Sequence, residues 1–345
     1  ALEAGRTVYR AREAVARLFN APDPLRVVFA LNVTEALNLA LRGLLQPGQH
    51  VITSGIEHNA VMRPLRALQR AGVALTVVPC PPTGLLDPDD LRAAIRPNTA
   101  LIALNHASNV IGAISPLAEL GRIAQERGIP LLVDAAQSGG AVPLDMQALQ
   151  VDLLAFTGHK SLLGPMGTGG LILGEGFDEM RLEPLLRGGT GSNSELEEQP
   201  DFLPDKYESG TPNGVGLAGL EAGVNWVLAR GVPVIQEHER ALTALLLDGL
   251  AEIPNVTIYG PRDPRLQTAT VSFNLATMAP DEVGLRLDEE YGILCRVGLH
   301  CSPATHRTIG TYPTGTVRFG LGAMNTRDEV LQALEAVRAL AMEGR

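Results

Sequence analysis

Lysine is the rarest charged residue of this chain. Only two of its 28 basic residues are lysines, Lys160 and Lys206, and the others are arginines. A lysine side chain can lose its proton and attack a carbonyl to form a Schiff base, which a guanidinium cannot do. Lys160 follows the apolar segment 151–156, which predicts a buried strand. Because open α/β sheets bind ligands at strand ends, Lys160 is the first candidate for a nucleophile.

The sequence around Lys160 leaves an alternative open. Lys160 stands in Thr157-Gly158-His159-Lys160-Ser161, and a glycine-rich segment follows at 164–170. Glycines there allow the backbone to approach a ligand closely. A surface lysine beside a glycine-rich turn is the alternative, since a single motif does not decide between the two. Lys206, in Pro204-Asp205-Lys206-Tyr207, has no strand-end position, so we expect its amine to be solvated.

An aspartate upstream could belong to the same site. The apolar segment 129–133 predicts a buried strand that places Asp134 at its carboxyl end. The interval from Asp134 to Lys160 is long enough for one crossover to a neighbouring strand. A pyridoxal phosphate enzyme needs this pair, because the lysine binds the cofactor and the carboxylate keeps the pyridine nitrogen protonated. The alternative for Asp134 alone is a helix N-cap.

Four motifs follow one another along the chain: Val133-Asp134-Ala135-Ala136-Gln137, Thr157-Gly158-His159-Lys160, Gly210-Thr211-Pro212-Asn213 and Arg296-Val297-Gly298-Leu299-His300-Cys301. Together they resemble the class V aminotransferase family of fold-type I pyridoxal phosphate enzymes. Within that family they are similar to the cysteine desulfurase and selenocysteine lyase branch. The resemblance covers roughly residues 5 to 330. It implies pyridoxal 5'-phosphate as cofactor and a homodimer.

Periodicity along the chain predicts an α/β fold. Apolar runs typical of strands occur at 27–31, 50–53, 74–79, 100–105, 129–133, 151–156 and 169–173. Helical patterns near 60–71, 88–96 and 116–127 lie between most of them. Seven strands with crossover helices imply a mostly parallel sheet that is covered on both faces.

The second half of the chain predicts a smaller α+β region. A long helical stretch at 213–253 is followed by strands at 255–259, 268–274, 293–297 and 317–321 and by a last helix at 328–342. We therefore expect a fold-type I pyridoxal phosphate-dependent transferase with a seven-stranded sheet. Its parts are an N-terminal helix at 1–19, a large cofactor-binding domain at 20–245 and a small C-terminal domain at 246–345.

The resemblance implies cofactor contacts for several further residues. Thr34, Thr157 and His159 match phosphate ligands, and Thr211 matches a residue that reaches the phosphate of the other subunit. His58 matches the imidazole that stacks on the pyridine ring and moves protons, and Gln137 matches the partner of the phenolic oxygen. Asn32 with Glu35 also predicts a capped helix start at Thr34, where a helix N-terminus suits an anion. Each of these residues could instead cap or cross-link a loop.

The resemblance assigns the substrate to three residues. Arg318 matches the arginine that binds the α-carboxylate, for which a planar guanidinium is suited. Asn109 matches a side chain that contacts this carboxylate and the cofactor oxygen. Arg296 is a candidate for ordering the cysteine loop.

Cys301 distinguishes between reactions within the family. It follows a predicted strand and stands beside His300, a setting that can favour a thiolate. The resemblance implies a persulfide on Cys301, formed while L-cysteine becomes L-alanine and passed to an acceptor protein, as in iron–sulfur cluster assembly. A small buried hydrophobic residue is the alternative for Cys301, and it is our expectation for Cys80 and Cys295. Other possible functions are a selenocysteine lyase, a C–S lyase, an aminotransferase or a non-catalytic pyridoxal phosphate-binding protein.

Composition limits the partners and the compartment. A net charge of −10 argues against nucleic acid or an anionic membrane surface as the main partner. No stretch approaches the ~18 apolar residues of a membrane span, and the first residues are not typical of a signal peptide. Three cysteines without a C-x-x-C pair favour a reducing cytoplasm, and the histidines show no metal-ligand spacing with them. The family's N-terminal arm with an Asn-Ala-Ala-type motif has no counterpart here, since the sequence starts in the helix that follows it, at 5–20. We expect either an incomplete sequence or a protein without that arm.

Overall fold

A seven-stranded sheet forms the centre of the larger part of the molecule. The computed structural model describes residues 2–343. The strands are β1 (Val27–Ala30), β2 (His50–Ser54), β3 (Ala74–Val78), β4 (Thr99–Asn105), β5 (Leu131–Asp134), β6 (Leu153–Thr157) and β7 (Gly169–Leu173), in the order β1-β7-β6-β5-β4-β2-β3. Strands β2 to β6 run parallel, and β7 is antiparallel to both of its neighbours, β6 and β1. The predicted mostly parallel sheet is therefore confirmed.

Helices cover both faces of this sheet. They are α1 (Leu2–Phe19), α2 (Val33–Leu44), α3 (Asn59–Arg70), α4 (Pro88–Ala94), α5 (Leu117–Glu126) and α6 (Gly214–Arg230). Successive strand residues point to opposite faces, so Leu131 and Val133 pack with α1, α4, α5 and α6, while Leu132 packs with α2 and α3. The continuous apolar runs of the strands follow from this two-sided burial.

A second, antiparallel sheet forms a separate core. Its strands are β8 (Val256–Tyr259), β9 (Thr270–Leu275), β10 (Arg296–Gly298) and β11 (Thr316–Gly320), in the order β10-β11-β9-β8. Helices α7 (Val232–Ala251), α8 (Pro280–Tyr291) and α10 (Arg327–Glu343) pack on it, and the short α9 (Pro303–Thr308) lies between β10 and β11. Phe273 and Phe319 are at the centre of this core.

The second half of the chain differs from the sequence prediction mainly in its helices, and the strand predicted at 293–297 begins only at Arg296. The predicted single helical stretch at 213–253 is two helices, α6 and α7, because Gly231 adopts a φ of 84° between them. Pro233 then starts α7, which is the position where proline fits a helix. Helices α8 and α9 were not predicted. The domain boundary at 245/246 stays a prediction, and residues 1, 344 and 345 of the predicted segments lie outside the described residues.

None of the helices within residues 2–343 is both long enough and apolar enough to span a membrane.

Candidate active site

The predicted site residues follow strands that end at one edge of the large sheet. The parallel strands β2, β4, β5 and β6 bring their carboxyl ends to the same edge. His58 follows β2, Asn109 follows β4, Asp134 ends β5 and Lys160 follows β6. Parallel β-sheets bind ligands at this edge. The fold therefore places four of the predicted residues side by side.

Burial shifts the pKa values of both Asp134 and Lys160 toward the neutral form. Asp134 is buried, and its Oδ1 accepts a hydrogen bond of 2.9 Å from the Ala136 N–H. Burial raises the pKa of Asp134, against the effects of that hydrogen bond and of the Lys160 charge. Burial also lowers the pKa of Lys160, with Asp134 opposing this shift and Arg318 adding to it. The lysine is thus easier to deprotonate than a solvated one, which is the condition for a nucleophilic amine.

His58 is a neutral imidazole with an assignable tautomer. Its Nδ1 accepts a hydrogen bond of 3.0 Å from the Ala60 N–H and thereby caps α3. A backbone N–H can only donate, so Nδ1 carries no proton and the ring proton is on Nε2. Burial lowers the pKa of His58 to about 4, and the charges of Lys160, Arg63 and Arg318 act in the same direction. At neutral pH the side chain is an uncharged flat ring with one donor.

Three hydroxyl and imidazole groups form a polar end of the site. Thr34 is exposed in the first turn of α2, whose start is capped as predicted: Asn32 Oδ1 accepts from the Glu35 N–H at 3.1 Å. Thr157 Oγ1 and His159 Nδ1 are 3.1 Å apart at the end of β6. Burial and the Lys160 charge lower the pKa of His159. A helix N-terminus with hydroxyl and imidazole groups can bind a phosphate.

Two glycines of the segment after Lys160 lie against the protein backbone. A Cβ atom on Gly169 would lie 2.7 Å from Cα of Asn32, and one on Gly170 would collide with the carbonyl oxygen of Val28. Gly169 therefore allows the turn before α2 to lie directly on β7. The prediction that the glycines of 164–170 let the backbone approach a ligand is wrong for Gly169 and Gly170, although Gly169 positions the Thr34 helix.

Arg318 and Asn109 connect the small sheet to the large one. Arg318, on β11, donates from Nη1 to the Asn109 carbonyl oxygen at 2.6 Å. Asn109 Nδ2 donates to the His300 carbonyl at 2.6 Å, and its buried Oδ1 has no partner within residues 2–343. Arg296 is exposed and lies directly opposite Arg318 in the β10–β11 register. Arg318 and Asn109 thus connect β11 to the segment that follows β4.

Cys301 is exposed, and its backbone lies against the first residue of α3. Its carbonyl oxygen accepts a hydrogen bond of 2.9 Å from the Asn59 N–H, next to His58. The expectation that His300 favours a thiolate on Cys301 is wrong. The ring instead faces Thr316, because His300 Nε2 lies 3.1 Å from both the carbonyl oxygen and the hydroxyl of that residue. Burial lowers the pKa of His300 to about 3, so this ring is neutral and places no positive charge beside the thiol.

The other cysteines and the second lysine differ from Cys301 and Lys160. Cys80 and Cys295 are half-buried against apolar clusters, and burial raises the pKa of both thiols, for Cys80 to about 11. Lys206 is buried, and its Nζ donates to the Glu179 carbonyl at 2.8 Å. The expectation that Lys206 is solvated was therefore wrong, because a distant backbone carbonyl satisfies the ammonium.

The structure adds two residues that the sequence reasoning missed. Glu57 has a fully buried carboxyl group directly before His58, and Ser302 has a buried hydroxyl directly after Cys301. Ser302 Oγ donates to the Glu57 carbonyl at 2.7 Å. The only signal in the sequence was the position of each residue beside a predicted site residue. Gln137 is half-buried beyond β5 and Thr211 is exposed before α6, and their roles stay predictions.

The family match covers almost the whole chain. The family model of aminotransferase class-V matches residues 1–333. The chain belongs to the aminotransferase class-V family. A probable cysteine desulfurase of Methanothermobacter thermautotrophicus is 36% identical, over 99% of this chain and 86% of the relative. A cysteine desulfurase of Serratia proteamaculans is 34% identical, over 95% and 81% of the two chains.

Solved structures of cysteine desulfurases have the same fold. The apo structure of a cysteine desulfurase from Thermococcus onnurineus superposes with a TM-score of 0.93 at 32% identity, covering 99% of this chain and 85% of the other. A cysteine desulfurase of Escherichia coli in an S-sulfonic acid form gives a TM-score of 0.88 at 31% identity, with the same two coverages. The fold-type I prediction is confirmed by these structures.

Proposed function

We propose that this class-V family member is a pyridoxal phosphate-dependent cysteine desulfurase. It converts L-cysteine to L-alanine and holds the sulfur as a persulfide on Cys301, from which an acceptor protein takes it, as in the supply of sulfur for iron–sulfur clusters. The observation that carries the proposal is the hydrogen bond between Asn59 and Cys301, which brings an exposed thiol to the strand edge where Lys160 and Asp134 lie. An aminotransferase needs no thiol there. The names of the relatives support the same reaction.

The residues at the strand edge fit pyridoxal phosphate. A half-buried lysine with a lowered pKa and a buried carboxyl group lie there, together with the buried amide oxygen of Asn109, which has no partner within residues 2–343. Lys160 would hold the aldehyde carbon and Asp134 the pyridine nitrogen. Thr34, Thr157 and His159 would bind the phosphate, Gln137 the phenolic oxygen, and the neutral His58 ring would stack on the pyridine. The cofactor, when bound, stabilises negative charge on the substrate Cα.

The chain's own residues perform the remaining steps. Arg318 and Asn109 orient the substrate carboxylate, and the deprotonated Lys160 amine removes the α-proton. The Cys301 thiolate then attacks the substrate sulfur, so that an S–S bond forms while the C–S bond breaks. The electron pair of the C–S bond stays with Cβ, which takes up one proton, and Cα regains the proton that Lys160 removed, so that alanine forms. The substrate sulfur remains on Cys301 as a persulfide, and no external oxidant is required.

We further propose a homodimer in a reducing cytoplasm. Thr211 lies in the exposed segment 210–213 before α6, where it is available to a second subunit. The three cysteines within the described residues are all free, which supports a reducing compartment.

Lys160 is the expected attachment site of the cofactor. Borohydride reduction of the cofactor-loaded protein, followed by peptide mapping, should place the pyridoxyl group on Lys160, because burial lowers the pKa of its amine. Lys206 is the internal control, since its ammonium donates to the Glu179 carbonyl. A pyridoxyl group on Lys206 would overturn the assignment.

Cys301→Ala should separate cofactor chemistry from sulfur transfer. We expect the variant to bind the cofactor and to change its absorbance with L-cysteine, because Lys160 and Asp134 are intact. Alanine and persulfide formation should fall at least ~100-fold, since the attacking sulfur is gone. Cys295→Ala is the matched control and should keep the parental rate. If Cys295→Ala loses the activity while Cys301→Ala keeps it, the nucleophile is wrong, and if neither matters, a C–S lyase that needs no protein thiol is the better assignment.

A further inference from the structure

The backbone around Cys301 has an uncommon conformation. His300 and Cys301 both have positive φ angles, 48° and 57°, in the left-handed region. Two successive residues with side chains in this region cost about 1 kcal/mol or more each, so the surroundings must hold them in place. The segment 299–302 therefore needs specific contacts to keep the thiol where it is.

Hydrogen bonds to residues that follow β2 and β4 supply these contacts. The His300 carbonyl accepts from Asn109 Nδ2, and the Cys301 carbonyl accepts from the Asn59 N–H. Ser302 Oγ donates a hydrogen bond of 2.7 Å to the Glu57 carbonyl, and it lies 2.7 Å from Thr305 Oγ1. A hydroxyl has one proton to donate, so Thr305 must donate in return. Ser302 is fully buried, and water cannot replace these bonds without a rearrangement.

Glu57 is itself fixed by its side chain. Its Oε1 accepts from Ser54 Oγ at 2.6 Å and from the Asn105 N–H at 3.0 Å, which connects it to the ends of β2 and β4. The carboxyl group is fully buried, and burial raises its pKa to about 8. The Glu57 side chain thus ties the carbonyl that accepts the Ser302 hydrogen bond to the ends of β2 and β4, which also carry His58 and Asn109.

We propose that Ser302 and Glu57 are positioning residues that hold the Cys301 thiol at the strand edge by linking the segment 299–302 to the segment 54–59. This inference rests on the proposed function, because it concerns the thiol that receives sulfur. Neither side chain acts on the substrate. The link determines whether the thiol meets the substrate sulfur, and a displacement of about 1 Å in such a step costs up to ~100-fold in rate.

Ser302→Ala tests the link in the cofactor-loaded protein. Alanine formation from L-cysteine should fall ~10- to 100-fold, while the cofactor content and the absorbance change with L-cysteine stay parental. Thr53→Val is the matched control, because it removes another fully buried hydroxyl that donates to a backbone carbonyl, that of Ala103 at 2.8 Å. A parental rate in Ser302→Ala, or an equal loss in Thr53→Val, would overturn the proposal.

Hydrogen exchange gives a readout that does not depend on activity. The Asn59 amide, which donates to the Cys301 carbonyl, should exchange at least ~10-fold faster in Ser302→Ala than in Thr53→Val, with or without cofactor. Unchanged protection of this amide would show that the link does not exist. If Ser302→Ala does not fold, Glu57→Gln and Glu57→Ala decide the question. The glutamine keeps an oxygen acceptor for Ser54 and Asn105, so it should retain at least ~5-fold more turnover than the alanine, and equal rates count against the link.

Failure of the proposed function is distinguishable from failure of the link. If Cys301→Ala keeps the parental rate, the proposed function fails and the catalytic role of the link fails with it. If Cys301→Ala is inactive and Ser302→Ala is fully active, the function stands and only the link is wrong.

Discussion

At the scale of single residues, burial determines the chemistry of this site more than local charge does. Lys160, Asp134 and His58 all lie at the carboxyl edge of the sheet, and burial is the largest cause of each pKa shift. All three shifts favour the neutral form. The lowered pKa makes the Lys160 amine easier to deprotonate, which suits proton removal. The neutral His58 imidazole suits ring stacking better than a cation would.

Glu57 should make the stability of the protein depend on pH. Burial raises its pKa from 4.5 to about 8, so the folded state binds this proton more tightly than the unfolded state does. The stability from the protonated carboxyl is complete below pH 4.5 and is lost as the pH rises to about 8. Glu57→Gln cannot ionise, so its free energy of unfolding should rise relative to the parent by up to about 1.4 kcal/mol per pH unit in this window.

Urea unfolding of both apo-proteins between pH 5 and 8 measures this difference. If the glutamine amide changes the free energy of unfolding by an amount that does not depend on pH, the curve of the variant is displaced as a whole and its slope is unchanged. Parallel curves for parent and variant would mean that Glu57 is ionised in the folded state.

At the scale of elements, one buried ion pair joins three parts of the chain. Arg12 of α1 binds both carboxylate oxygens of Glu208 at 2.7 Å, and Glu208 also accepts from the Phe29 N–H of β1 at 2.6 Å. Glu208 lies just before the segment that carries Thr211. The pair therefore fixes α1, β1 and the start of the predicted intersubunit segment together.

Glu208→Ala should destabilise the protein by about 3–5 kcal/mol, because it leaves the buried Arg12 guanidinium without its counter-charge. Glu221→Ala is the control: Glu221 pairs at 3.1 Å with Arg10, whose side chain is half exposed, so its loss should cost at most about 1 kcal/mol. Denaturant unfolding of the two variants tests this order. Similar small losses in both would show that the Arg12 pair contributes little.

At the scale of the whole molecule, the two sheets meet at the site. The strand ends of the large sheet carry Lys160 and Asp134, whereas Arg318 and Cys301 come from the region of the small sheet. Contacts through Asn109 and Asn59 hold the two regions together. In the proposed homodimer Thr211 of one subunit completes the phosphate site of the other.

Mixing two defective variants tests this composite site. Lys160→Ala subunits lack the cofactor lysine, and Thr211→Ala subunits should lose about 10-fold in activity if the hydroxyl binds the phosphate across the interface. A hybrid dimer combines an intact Lys160 from one subunit with an intact Thr211 from the other in one of its two sites. After unfolding and refolding of an equal mixture, activity should therefore exceed the sum of the two separate preparations. A simple sum would contradict the shared phosphate site, and an active monomer by light scattering would contradict the homodimer.

Local patterns in the sequence were sufficient for the sheet and for much of the site. Apolar runs that end in polar residues predicted the seven strands and placed Asp134 and Lys160 at strand ends, because burial on both faces requires uninterrupted apolar strands. The Asn32 cap was also a local pattern. The break at Gly231 could have been predicted, since a glycine followed by Pro233 is a local stop and start signal.

Tertiary structure alone decided the features that depend on partners far along the chain. Lys206 can be buried because the Glu179 carbonyl accepts a hydrogen bond from its Nζ. His300 is neutral because burial in the fold lowers its pKa to about 3. The link from Ser302 to Glu57 spans most of the sequence. No local pattern encodes such pairs, because burial and hydrogen bonding of a side chain depend on which elements the fold brings next to it.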